Sequence, residues 1–253
     1  MERFDGRHAL VTGGGRGIGR AIAAALSKAG ARVTVTGRGE AGLREAVACG
    51  DAAGFFSADV TDARALEEGI REAAAVRGPI DVLVANAGGA ESAPFGKSDD
   101  DAFRRMIDLN LMGTVHAVRA VLGDMTRRKS GRIVAVASTA GVKGYPYVSA
   151  YCAAKHAVVG LVRALALETA ASGVTVNAVC PGFTDTELMG ESIARIVAKT
   201  GRTRDEALGE FTKQNPLGRL IAPHEVAAAV LFLCSDAASG ITGATIPVAG
   251  GEV

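Results

Sequence analysis

Tyr151 and Lys155 stand four residues apart in the run Tyr151-Cys152-Ala153-Ala154-Lys155, at the start of a strongly helical stretch. On a helix that spacing puts both side chains on one face, about one turn from each other. A free phenol has a pKa near ~10 and is a poor acid or base at neutral pH, whereas a neighbouring ammonium favours the phenolate. The pair is therefore read as a phenol tuned for proton transfer. The same residue types at the same spacing also decorate plain solvated helix edges, so the surrounding elements must decide.

Those elements alternate regularly. Short runs rich in Val and Ile, at 8–12, 32–36, 54–58, 82–85, 132–137, 174–179 and 245–248, read as strands. Between them, Ala-rich amphipathic stretches at 18–29, 42–48, 63–75, 101–128, 150–171 and 223–235 read as helices. Apolar runs without polar alternation suit strands covered on both faces, and helical crossovers make such strands parallel. The expected fold is α/β, a doubly wound parallel sheet of Rossmann type forming one domain over 1–253. One segment, 186–218, carries helical patterning and charges but no strand. It follows a strand end, where open α/β sheets place their ligands, and is expected to be a helical lid over the site.

The first strand runs into Thr12-Gly13-Gly14-Gly15-Arg16-Gly17-Ile18-Gly19, and a helix begins at once. Glycines there allow a tight turn and close approach of a pyrophosphate, and the helix N-terminus offers free N–H groups to the anion. Dinucleotide binding is the reading, carried by Gly13, Gly15, Arg16, Gly17, Ile18 and Gly19. After the second strand, where an acidic residue would take the ribose hydroxyls of NAD, stand Gly37 and Arg38. Arginine suits a 2′-phosphate, and Arg16 is placed to reach the same group, so NADP(H) is favoured over NAD(H). Asp59-Val60 and Asn86-Ala87-Gly88 close the third and fourth strands on the same ligand-bearing edge.

Composition narrows the field. With 28 basic and 27 acidic residues the net charge is +1, which provides no global field for nucleic acid or an acidic membrane. Trp is absent and aromatics are 4%, which argues against base-stacking platforms. Cys49, Cys152, Cys180 and Cys234 show no close pairing and His8, His116, His156 and His224 stand singly, so neither a metal site nor a disulfide framework is expected. The start, 1–7, is polar, and no apolar run approaches the roughly 20 residues of a membrane span. A soluble, cytoplasmic protein is expected.

The glycine loop, Asn86-Ala87-Gly88, Ser138 after the fifth strand, Tyr151 with Lys155, Pro181-Gly182 after the sixth and the terminal Gly250-Gly251 together resemble the short-chain dehydrogenase/reductase family, in its compact subfamily. The resemblance implies a catalytic tetrad of Asn110, Ser138, Tyr151 and Lys155. Tyr151 would exchange a proton with the substrate oxygen, Ser138 would hydrogen-bond that oxygen, Lys155 would lower the Tyr151 pKa and hold the nicotinamide ribose, and Asn110 would anchor a water relaying protons through Lys155. Hydride transfer itself belongs to the nicotinamide. The resemblance also places Asp59 and Val60 at the adenine and Asn86, Ala87 and Gly88 along the cofactor groove. Pro181, Gly182, Thr184 and Thr186 fall at the nicotinamide end, with Thr184 the position that commonly presents only backbone.

Within the family, the stretches 38–43, 137–141 and 179–183 look like 3-oxoacyl and polyketide ketoreductases. Carrier-protein docking in that branch leans on basic residues, here Arg127 and Arg128, but the matching second basic position is Ser172. A coenzyme A thioester or a small aryl or cyclic alcohol therefore stays open beside it. Arg195, Lys199, Arg202 and Arg204 in the lid would suit coenzyme A phosphates, or form a solvated face offset by Glu191, Asp205 and Glu206. A dinucleotide-sensing regulator is the reading from another class, and the intact tetrad argues against it. Ala153, Ala157 and Ala164 permit close helix approach, and a homotetramer is expected.

Overall fold

The computed structural model describes residues 4–253, so the polar start at 1–7 lies partly outside the described residues. Seven strands form one parallel sheet in the order β3-β2-β1-β4-β5-β6-β7. They are β1 (His8–Thr12), β2 (Arg32–Gly37), β3 (Gly54–Ser57), β4 (Val82–Ala85), β5 (Gly131–Val136), β6 (Val174–Pro181) and β7 (Thr245–Val248). The order reverses between β1 and β4, so the chain winds first to one side and then to the other. That switch opens a crevice at the strands' carboxyl ends.

The crossovers are α1 (Gly17–Lys28), α2 (Glu40–Ala48), α3 (Ala63–Arg77), α4 (Asp100–Met106), α5 (Gly113–Arg128), α6 (Ser149–Thr169), α7 (Glu187–Thr200), α8 (Arg204–Thr212) and α9 (Pro223–Cys234). Alternate side chains of the buried strands feed two cores. On one face Ala9, Val11, Val33, Val35, Val82 and Val84 pack with α1 and α9 through Ile22, Leu26, Val230 and Leu233. On the other, Leu10, Leu83, Ile133 and Val176 pack with α3, α5 and α6 through Leu66, Val121 and Val162. Burying a side chain of this size stabilises the fold by about 1.5–3 kcal/mol, and both faces of β1, β4, β5 and β6 are used this way.

Two expectations are corrected here. The stretch 101–128 is not one uniform α-helix: a six-residue π segment, Ile107–Met112, separates α4 from α5. Wide turns of this kind concentrate at functional sites, and Asn110 lies inside this one. The second correction concerns α6, since the helix run Ser149–Ser172 is long and apolar enough to span a bilayer by length and composition alone. It lies instead against β6 as a core helix and carries the buried Lys155.

Candidate active site

The glycine turn is built by contact. Gly13 has φ 66° and Gly17 φ 53°, a left-handed region that side chains disfavour. A Cβ at Gly19 would lie 2.2 Å from the Gly13 carbonyl, so α1 reaches β1 this closely only because position 19 is bare. The N-cap residue, Arg16, makes no side-chain cap bond, which leaves the first N–H groups of α1 for an anion. This cradle fits a dinucleotide pyrophosphate.

The neighbouring strand end holds the turn in place. Thr12 Oγ1 accepts from the backbone N–H of Asn86 and of Ala87, each at 3.0 Å, and Asn86 Nδ2 donates to the carbonyls of Thr12 (2.9 Å) and Gly13 (3.3 Å). The Asn86 amide nitrogen therefore fixes the turn from the neighbouring strand end. Thr12 is a positioning residue that motif reading passes over, because a strand-end threonine carries no signal of its own.

Arg38 follows β2 and is exposed, with its guanidinium 3.9 Å from the Asp59 carboxylate. Asp59 is held below the usual carboxylate range, first by the Thr61 backbone N–H at 2.9 Å, then by the Thr61 hydroxyl and by Arg38. Val60 is buried in the core against Gly113, so what it offers a ligand is backbone. Arg16 and Arg38 are both exposed near the mouth of the turn.

The four tetrad positions come from three elements. Ser138 caps the 3-10 turn Thr139–Gly141 after β5, accepting from the Ala140 N–H at 3.1 Å. Tyr151 and Lys155 rise from the first turns of α6. Asn110 comes from the π segment, fully buried; its Nδ2 donates to the carbonyls of Gly89 (3.0 Å) and Met106 (3.1 Å), and its Oδ1 accepts from the Gly89 N–H (3.2 Å). Gly88 is the seam: a Cβ there would lie 2.6 Å from Asn110 Oδ1 and 3.4 Å from Lys155 Nζ. Lys155 Nζ donates to the Val136 carbonyl at 2.9 Å and lies 5.8 Å from the Tyr151 ring centroid.

The electrostatics correct one expectation. Burial pushes the Tyr151 phenol above the ordinary tyrosine value, and a hydrogen bond with the Ser138 hydroxyl pulls the other way. Lys155 is itself depressed by burial to about 8. Both groups are desolvated, and the Lys155 ammonium donates to the Val136 carbonyl, so within the chain burial outweighs the neighbouring ammonium in setting the Tyr151 phenol.

At the end of β6, Pro181 is buried, and Thr184 is buried with its hydroxyl donating to the Gly182 carbonyl at 2.9 Å. Thr184 thus presents backbone. Thr186 caps α7, accepting from the Met189 N–H at 3.3 Å, and its Cγ2 would lie 3.3 Å from a Cβ at Gly17. The segment 186–218 therefore starts against the glycine turn. Arg128 is corrected as well: it is engaged by Asp124 and Asp81 at 2.7 Å each and by the Ile80 carbonyl, and Arg127 by Asp124. Arg128 is thus tied down, while Arg127 stays exposed with only this contact along its own helix.

Residues 7–196 match the short chain dehydrogenase family. The chain is 39% identical to an acetoacetyl-CoA reductase of Shinella zoogloeoides, covering 97% of this chain and 98% of that protein. It is 37% identical to a D-beta-hydroxybutyrate dehydrogenase of Cupriavidus necator, over 99% of both. A crystal structure of a variant actinorhodin polyketide ketoreductase with NADPH superposes with a TM-score of 0.93 at 36% identity, covering 100% of this chain and 99% of that one. Family, sheet order and glycine cradle agree: the chain belongs to the short chain dehydrogenases, oxidoreductases that use a nicotinamide dinucleotide.

Proposed function

We propose that this protein reduces the keto group of a 3-oxoacyl thioester with NADPH, and oxidises the 3-hydroxyacyl product in reverse. The observation that carries this reading is the convergence of Ser138, at the turn after β5, with Tyr151 on the first turns of α6, beside a buried Lys155 whose Nζ lies 5.8 Å from the Tyr151 ring centroid. Ser138 and Tyr151 would both grip the substrate oxygen, and as charge develops there Tyr151 gives up its proton to it. Lys155, whose ammonium is half-ionised near pH 8, favours the phenolate that results and helps to return the proton. Asn110, locked to Gly89 one residue from the seam at Gly88, holds the far end of that relay. The bound nicotinamide supplies the hydride.

NADPH is favoured by Arg38 and Arg16, whose exposed cations suit a 2′-phosphate. The thioester class is favoured by the acetoacetyl-CoA reductase and ketoreductase relatives. Among the lid cations, Arg202 is paired with Glu210, while Arg195, Lys199 and Arg204 stand exposed for the phosphates of coenzyme A. With Arg128 held by Asp81 and Asp124, and Ser172 at the second basic position, coenzyme A suits the chain better than a carrier protein. A small aryl or cyclic ketone is the second reading, favoured by the edge-to-face row Tyr145, Phe183 and Phe211, with centroids 5.8 and 5.0 Å apart.

The segment 186–218 is proposed as the lid, and a cytoplasmic homotetramer as the working state. On α6, Ala153, Gly160, Ala164 and Leu167 are exposed as an apolar strip, and a monomeric mass by light scattering would refute the tetramer. The test of function is oxidation of NADPH by acetoacetyl-CoA. Turnover by the native protein, with none in Tyr151→Phe despite retained NADPH binding, is expected. Equal turnover by the two proteins would overturn the reading.

A further inference from the structure

A second cluster of charge lies one residue from Ser138. Glu252 has its side chain only 1% exposed, with Lys143 Nζ 3.0 Å from Oε1 and the Tyr145 phenol donating to the same oxygen. Tyr145 also shares a 2.6 Å hydrogen bond with the Thr139 hydroxyl, which follows Ser138 directly. Glu252 Oε2 would lie 3.0 Å from a Cβ at Gly182, and Phe183 meets the Tyr145 ring edge-on. The cluster thus spans from the Ser138 turn to the start of the lid segment, along the wall a substrate would face.

Its charge is balanced. A buried carboxylate is costly unless paired, and Lys143 is the partner. Lys143 is also the one cation in the sequence between Ser138 and Tyr151, and it is 30% exposed. A substrate carrying its own carboxylate would have to shed water on this wall with no uncompensated cation there to receive it.

We propose that Glu252 masks Lys143, so that the cleft accepts carbonyl compounds with no charge next to the keto group's acyl end, thioesters and ketones alike, and discriminates against free oxo-acids. This rests on the proposed carbonyl reduction at Tyr151 and narrows its substrate class. It separates this chain from what the hydroxybutyrate dehydrogenase relative is named for, although the identities to the two relatives are nearly equal. Glu252 acts through Lys143 and is a positioning residue. Tyr145, pushed well above its ordinary value by burial and by Glu252, stays a neutral donor in the network.

Methyl acetoacetate and acetoacetate differ at one end by a charge, and the ratio of their kcat/KM values is the readout. The native enzyme should prefer the ester; a preference for acetoacetate would overturn the proposal without any variant. In Glu252→Gln, which keeps an acceptor for Tyr145, the ratio should move toward acetoacetate by about tenfold. The shift should vanish in the double variant Lys143→Gln/Glu252→Gln. Tyr145→Phe, which disturbs the network without altering its charge, should leave the ratio where it was. An unchanged ratio in Glu252→Gln, or an equal shift in Tyr145→Phe, would sink the idea. If no ketone is turned over, the proposed function fails by itself. Calorimetric titration of acetoacetate into NADP⁺-saturated native and Glu252→Gln protein then still decides: tighter binding by the variant supports masking, and equal binding refutes it.

Discussion

Asn110 and Gly89 form a two-way amide pair, with Nδ2 donating to the Gly89 carbonyl at 3.0 Å and Oδ1 accepting from the Gly89 N–H at 3.2 Å. The side chain completes for the loop after β4 what a neighbouring strand would otherwise provide. Asn110→Leu would leave both half-buried Gly89 groups without it, at a cost of about 1 kcal/mol for the lost hydrogen bonding. We expect a lowered thermal midpoint together with a turnover number reduced about tenfold, because the loop carrying Gly88 loses its anchor. Denaturation curves and steady-state rates on the same preparation would show whether the two losses travel together.

Gly88 offers a sharper test of the seam. A methyl group there would meet Asn110 Oδ1 at 2.6 Å and crowd Lys155 Nζ at 3.4 Å, so one of the two must move. Gly88→Ala should therefore fold, bind NADPH weakly and lose most of its turnover, whereas Gly96→Ala, with open space around it, should behave as native. Comparable activity in the two alanine variants would show that the seam tolerates displacement.

Lys155 links the site to stability through pH. Its ordinary value of 10.5 falls to about 8 on burial, a penalty of roughly 3 kcal/mol on the charged form. Below pH 8 both folded and unfolded chains carry the proton, and the folded state bears the whole penalty. Between pH 8 and 10.5 the folded lysine is neutral first, so the penalty fades as pH rises. Lys155→Met should thus be inactive yet more stable at pH 7 by about 2 kcal/mol, after about 1 kcal/mol is lost with the Val136 hydrogen bond. That advantage should shrink toward pH 10 in urea titrations; an advantage independent of pH would refute the account.

Cofactor choice is read at Arg38. Its 3.9 Å contact with Asp59 is exposed and weak, and leaves the guanidinium free to turn toward a phosphate. Arg38→Leu should raise the KM for NADPH about tenfold or more while changing that for NADH little. Parallel increases for both cofactors would remove Arg38 from the specificity site.

Much of this is legible in the sequence itself. Doubly apolar runs such as Leu10-Val11 and Val82-Leu83-Val84 admit few alternatives to buried parallel strands, and the glycines of the first turn mark the pyrophosphate cradle. What stayed hidden depends on tertiary partners. That the Asn86 strand end holds the turn depends on Thr12, whose hydroxyl lies 74 residues away in sequence from the amide it receives. The Tyr151 phenol was expected to be lowered by its helical neighbour, but helical spacing says nothing of desolvation, which acts on both groups. Arg128 reads as surface charge in the sequence, but Asp81 and the Ile80 carbonyl reach it from the loop before β4. Glu252 gave no signal at all, since a glutamate near the end of a sequence is ordinarily solvated.

The π segment at Ile107–Met112 sets the phase between its flanking helices. Before it, Phe103 and Met106 turn toward Ala150 and Tyr151 of α6; after it, Val118, Val121 and Met125 turn toward the sheet and α3. An α-helix advances about 100° per residue, so the one residue that a wide turn takes up rotates everything downstream by that angle. Deleting a single residue here would leave a straighter helix whose two halves ask for incompatible neighbours. The length of this segment is therefore as much a determinant of the site as the identity of Asn110 within it.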